Sequence, residues 1–194
     1  MMLVELETPV ISLTAIRELG DHLRLGSGFA DDGSQDALLE LYLRTAMAAI
    51  ERRLGKALLE RRFSWTLTRW REPSRQVLPV APISTVETLR LITHVGVETI
   101  VDPMDWALIP DAHAPALIGT WSRDLPVIAE MARAEIEFRA GYGTEWSDVP
   151  PDLRQATLML AANFYENRSA DEGREGAMPF GVQALLDPFR PVRL

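Results

Sequence analysis

Phe63-Ser64-Trp65-Thr66-Leu67-Thr68 is where the chain changes texture. Apolar and polar residues alternate strictly there, the period of a half-buried strand. Upstream the apolar residues fall every three or four positions instead. Leu38, Leu39, Tyr42, Ala46, Ala49, Ile50 and Leu54 predict one long helix over Ser34–Leu54, about 30 Å at 1.5 Å per residue, with Gly55 as its C-terminal stop. Asp31 to Ser34 form a loop before it, and Gly26-Ser27-Gly28 break the chain. Further back, Ser12 is suited to cap a helix in which Leu13, Ile16, Leu19 and Leu23 are spaced for one face.

Downstream the strand texture persists for some 80 residues. Short strands are expected at Gln76–Val80, Thr85–Ile92, Glu98–Val101, Trp106–Ile109 and Ala116–Thr120. The last, Ala134–Ala140, sets Ile136 and Phe138 against Glu135, Glu137 and Arg139, and Gly141-Tyr142-Gly143 ends it. Helix returns after Val149-Pro150-Pro151, since proline suits a first turn. Leu153, Ala156, Leu160, Ala161, Phe164 and Tyr165 form its stripe. Asn167–Gly176 is polar and reads as a loop, and Val182–Leu186 as one more short helix. The layout predicts an α+β fold: a helical bundle from the N- and C-terminal helices with an antiparallel β insertion. In residue ranges, 1–62 and 144–194 form the helical core with a C-terminal docking tail, and 63–143 the insertion.

Composition limits the function. The 194 residues are 47% hydrophobic and 25% charged, ordinary for a globular chain that buries a core. Cysteine is absent, which removes disulfides, thiolate metal sites and a cysteine nucleophile. No apolar run is long enough to span a bilayer and the first residues lack a basic signal region, so a soluble protein made in the cytosol, with no membrane partner, is expected. A net charge of −8 disfavours a binder held by nucleic-acid phosphates. The charge is also uneven: eight bases face two acids over residues 52–75, and eleven acids face three arginines over 98–152. This arrangement allows complementary surfaces between copies, with Arg52, Arg53, Arg61 and Arg62 as inter-subunit charge contacts.

No reaction centre emerges. His22, His94 and His113 share no metal-ligand spacing. The Asp31–Asp36 run lacks the order of a calcium loop, and Gly55-Lys56 lacks the partners of a phosphate loop. Glu135 and Glu137 read as the wet side of an amphipathic strand. Trp65, Trp70, Trp106, Trp121 and Trp146 read as core and interface aromatics rather than a base-stacking platform. No catalytic residue, metal or cofactor is therefore expected.

The two ends carry a more specific pattern: Val149-Pro150-Pro151-Asp152-Leu153-Arg154-Gln155-Ala156, then Tyr165-Glu166-Asn167-Arg168, then Pro179-Phe180-Gly181-Val182-Gln183-Ala184-Leu185-Leu186-Asp187-Pro188-Phe189-Arg190. His22-Leu23-Arg24-Leu25, Gly55-Lys56-Ala57-Leu58 and Phe138-Arg139-Ala140-Gly141-Tyr142-Gly143 add to it. The chain resembles the head–tail connector (adaptor) family of tailed bacteriophages, of the type found in prophages and gene transfer agents. The resemblance implies a non-enzymatic subunit of the virion neck. Copies would form a ring, a dodecamer in the family, beneath the portal protein, joined below to a stopper or tail protein. DNA would pass the channel without specific binding. The apolar, proline-bounded tail suggests docking onto the portal or a neighbour through Phe180, Val182, Leu185, Leu186, Phe189 and Arg190. The alternatives are a small hydrolase acting on phage or cell-wall material, or another neck component such as a stopper.

Overall fold

The structure, a computed structural model, describes residues 1–25, 35–121, 123–167 and 178–190. The chain divides into two compact units: Met1–Pro9 with Gly55–Tyr142, and Val10–Leu54 with Gly143–Leu194. The first is built of strands, the second of helices, and the α+β class expected from the sequence is what is observed. The expected loops at Asp31–Ser34 and Arg168–Gly176 lie outside the described residues, as does the tail beyond Arg190.

The strand unit holds two antiparallel sheets. We number its strands β1 (Met2–Glu5), β2 (Arg61–Leu67), β3 (Arg75–Val77), β4 (Ile83–Ile92), β5 (Glu98–Ile100), β6 (Trp106–Ile109), β7 (Ala116–Gly119) and β8 (Arg133–Ala140). The larger sheet runs β1-β2-β8-β4-β5, the smaller β3-β7-β6. The alternation read at Phe63–Leu67 places Phe63, Trp65 and Leu67 in the core opposite Phe138, Ile136 and Ala134 of β8. The Phe63 and Phe138 rings stack at 5.5 Å. Leu117 from the smaller sheet joins the same core.

β4 breaks the simple period and the backbone corrects for it. Ile83, Val86 and Leu89 are spaced by three, which would alternate them between faces in a regular strand. Register shifts between Ile83 and Thr85, and between Val86 and Thr88, restore them to one face. They lie opposite Ala140, Phe138 and Ile136, and Glu87 is left on the other face.

β1 is the element the sequence did not reveal. Met2-Leu3-Val4-Glu5 is short and has no alternation, yet it pairs with Thr66 to Phe63 of β2. Residues 1–9 and 55–62, grouped by sequence with the helical core, thus lie in the strand unit.

The helical unit contains α1 (Leu13–His22), α2 (Asp36–Leu54), α3 (Pro151–Glu166) and α4 (Phe180–Leu186). Ser12 caps α1, accepting from the Ala15 N–H at 3.3 Å. Ala15, Ile16, Leu19 and Gly20 of α1 are buried, as are Leu39, Leu43, Ala46, Met47, Ile50 and Leu54 of α2. Leu153, Ala156, Leu160 and Ala161 of α3 complete the core, so helices from both ends of the sequence pack together as expected. Alanines on each of these three helices allow close approach. Tyr42 and Tyr165 meet edge to face at 5.6 Å, and Trp146 donates its indole N–H to Glu18 at 2.8 Å.

Candidate interaction surfaces

Arg52, Arg53, Arg61 and Arg62 share one expected role, contact between subunits, and the structure places them in different surroundings. Arg61 is buried: its guanidinium donates to both Glu5 oxygens, at 3.0 and 2.9 Å, and to the Leu59 carbonyl at 3.2 Å. It also lies over the Phe63 ring at 5.0 Å. Its expected role between subunits is corrected on this ground: Arg61 holds β1 onto β2 within one copy.

Arg62 points to the opposite, open face of the larger sheet. There it donates to Glu87 at 2.9 Å and Glu137 at 3.1 Å. Glu87 also accepts from Arg139 at 2.9 Å, and Arg139 lies 3.4 Å from Glu7. Glu137 also accepts from Arg90, which reaches Glu135 at 2.7 Å. The result is a row of alternating charge, Glu7–Arg139–Glu87–Arg62–Glu137–Arg90–Glu135. Hydrogen bonding to Glu87 and the charges of Glu87, Glu137 and Glu7 raise the Arg62 pKa further above its ordinary value. Glu135 and Glu137 are on the wet face, as their spacing indicated. Arg62 is engaged within its own subunit and its side chain is 34% exposed. Arg52 and Arg53 are exposed in the last turn of α2, where they also complement the helix dipole.

Lys56, set aside as part of a phosphate loop, has a different role in the fold. It is the chain's sole lysine, it is buried, and its ammonium donates to the Ala112 carbonyl. Burial lowers its pKa, and Asp111 partly opposes that shift. Asp111 itself accepts the N–H groups of His113 and Ala114 at 2.7 Å each, and these bonds hold its carboxyl below the ordinary range. Lys56 and Asp111 together fix the turn between β6 and β7. A motif search for phosphate loops inspects the residues beside Lys56 and cannot register a partner 56 residues away.

The docking residues read from the sequence divide by burial. Val182 and Leu186 are fully buried in the helical unit, and α4 packs on α3. Their placement in a docking face is corrected: they anchor α4. Phe180 is 86% exposed, Leu185 and Phe189 are half-buried, and Arg190 is exposed and pairs with Asp187 at 3.3 Å.

His22 is exposed in the last turn of α1, and His94 and His113 are exposed in turns. Among the described residues no group of three His, Asp or Glu could hold a metal ion, and no helix is long and apolar enough to cross a membrane. Trp65 and Trp146 are buried, Trp70 and Trp106 half-buried, and Trp121 exposed.

No protein-family model and no curated protein matches the chain. Solved structures do. A chain in the neck of an empty gene transfer agent (GTA) particle, computed with C6 symmetry, is 48% identical, with a TM-score of 0.86. A chain in the virion of a native GTA particle is also 48% identical, with a TM-score of 0.85. A third, in the neck of a native GTA particle computed with C12 symmetry, is 43% identical with a TM-score of 0.82. Each comparison covers 100% of this chain and 97% of the other.

Proposed function

We propose, from the premise that this chain belongs to the head–tail connector family of gene transfer agent particles and is a structural component of the neck, that it is the adaptor subunit. Copies assemble as a closed ring beneath the portal, and the ring joins the DNA-filled head to the stopper and tail. The observation that carries this reading is full-length likeness, at 43–48% identity, to neck proteins whose structures were computed with C6 and C12 symmetry. A subunit with a net charge of −8 also suits a channel wall that DNA must slide past, because phosphates are not gripped. The protein is made in the bacterial cytoplasm and ends in the virion neck.

Portal docking falls to the exposed part of the last described segment: Phe180 and Arg190, with Leu185 and Phe189 at its margin. Val182 and Leu186 seat that segment from beneath. The test is a producer strain lacking the gene. Electron micrographs should show filled heads without tails, and gene transfer should cease. Tailed particles that still deliver DNA would refute the adaptor reading. A pure sample that hydrolyses cell-wall material would favour the hydrolase alternative.

A further inference from the structure

The larger sheet ends on two open edges, β1 and β5, at opposite ends of the order β1-β2-β8-β4-β5. Every residue of both strands is exposed, including Met2 at 60% and Ile100 at 69%. Neither strand carries a proline, a lysine or a bulge, the usual devices that keep an edge from pairing.

The backbone pattern shows which groups are available. Leu6 N–H bonds Arg62 C=O at 2.9 Å, so Leu6, Val4 and Met2 direct their backbone groups toward β2. Leu3 and Glu5 direct theirs outward. On the other edge, Thr93 N–H bonds Val97 C=O and Val101 N–H bonds Leu89 C=O, each at 2.9 Å. Val97, Thr99 and Val101 therefore face β4, and Glu98 and Ile100 face out.

Strand direction then limits how two copies could join. All neighbours in the five-stranded sheet are antiparallel, so β1 and β5 run the same way. Neighbours in a twelvefold ring differ by a rotation of only about 30°, which preserves strand direction and sheet face. A two-fold pair would instead oppose identical edges.

We propose that β5 of one copy pairs in parallel with β1 of the next, so that the larger sheet continues from subunit to subunit around the ring. This inference rests on the ring reading above. With Leu3 opposite Thr99, Leu3 N–H would bond Glu98 C=O, Ile100 N–H would bond Leu3 C=O, and Glu5 N–H would bond Ile100 C=O. Both Leu3 and Thr99 lie on the core side, opposite Trp65 and Leu91 in their own sheets. Val4 then meets Ile100 on the open side, Glu98 lies beside Met2, and the two glutamates do not face each other.

The absence of native cysteine makes the test direct. Particles are assembled with the double variants Val4→Cys/Ile100→Cys and Val4→Cys/Glu98→Cys, the second covering a two-residue slip. Adjacent strands lie about 4.8 Å apart, within disulfide reach. Oxidation should give a ladder of covalent oligomers from at least one double variant and none from the single variants. In parallel, Leu3→Pro and Ile100→Pro each remove an outward N–H and leave the subunit's own ladder intact. Both should keep the wild-type unfolding temperature and lose at least tenfold in ring incorporation. Wild-type necks with rings, no ladder from either pair and normal incorporation of the proline variants would overturn the edge joint and leave the adaptor reading standing. A cross-linked dimer from Val4→Cys alone would overturn it in favour of a two-fold contact. Wild-type necks without rings of this chain would remove both readings.

Discussion

Arg61 and Arg62 are adjacent in sequence and serve opposite faces of one strand. The Arg61 side chain is 5% exposed and its partner Glu5 52%, so Glu5 keeps part of its hydration when the pair is broken. Arg61→Met should therefore cost about 1–2 kcal/mol, below the range for a wholly buried pair. Arg62→Met, on the wetter face, should cost less than Arg61→Met, because water screens its ion pairs. Urea unfolding of the two variants measures the difference, and equal losses would contradict the separation. Lys56 supplies a pH signature. Its folded pKa lies below the ordinary 10.5, so the folded chain binds fewer protons than the unfolded chain between those two values. Stability attributable to Lys56 should rise with pH through that window, be complete above 10.5 and be lost as pH falls through the folded value. Burial raises the Tyr142 pKa and gives the opposite slope above 10.0. The measurement is thus wild type minus Lys56→Met, across alkaline pH, where the difference should climb.

At the scale of elements, the alternation at Phe63–Leu67 and Ala134–Ala140 was legible because each strand has one face in the core. Phe138, fully buried against Phe63, should cost about 3–5 kcal/mol when changed to Ala, read by denaturant unfolding. The face assignment of β4 was legible only in part. Its bulges answer the partner strand, and nothing in a single strand's period announces them. β1 was illegible because Met2–Glu5 owes its form to hydrogen bonds from β2 and to Arg61. The glycines near the two crossings into and out of the strand unit differ in kind. Gly55 has φ +66° with open space around its α-carbon, so Gly55→Ala should cost about 1 kcal/mol. Gly141 has φ +143°, and a β-carbon there would lie 2.3 Å from the Glu60 nitrogen. Gly141→Ala should be the more damaging of the two in thermal unfolding, because backbone must move to admit it.

For the whole molecule, the exposed ring of Phe180 separates attachment from folding. Phe180→Ser should leave the melting temperature within about 2 °C of wild type, since the ring buries little. It should reduce the fraction of heads that carry necks, counted in micrographs. Leu186→Ser, by contrast, should lower both, because Leu186 belongs to the helical core. Normal attachment of Phe180→Ser would move the docking surface elsewhere.

Local period and composition alone determined the helix–strand–helix order, the wet face of β8 and the lack of thiol chemistry, because these follow from which residues must leave water. The matching motifs at the two ends determined the family. Tertiary structure decided which charges are satisfied at home, which apolar tail residues are anchors, and that the first residues form an edge strand. Those outcomes depend on partners distant in sequence, such as Glu5 for Arg61 and Ala112 for Lys56, and no local pattern encodes a contact whose geometry exists only after the chain has folded.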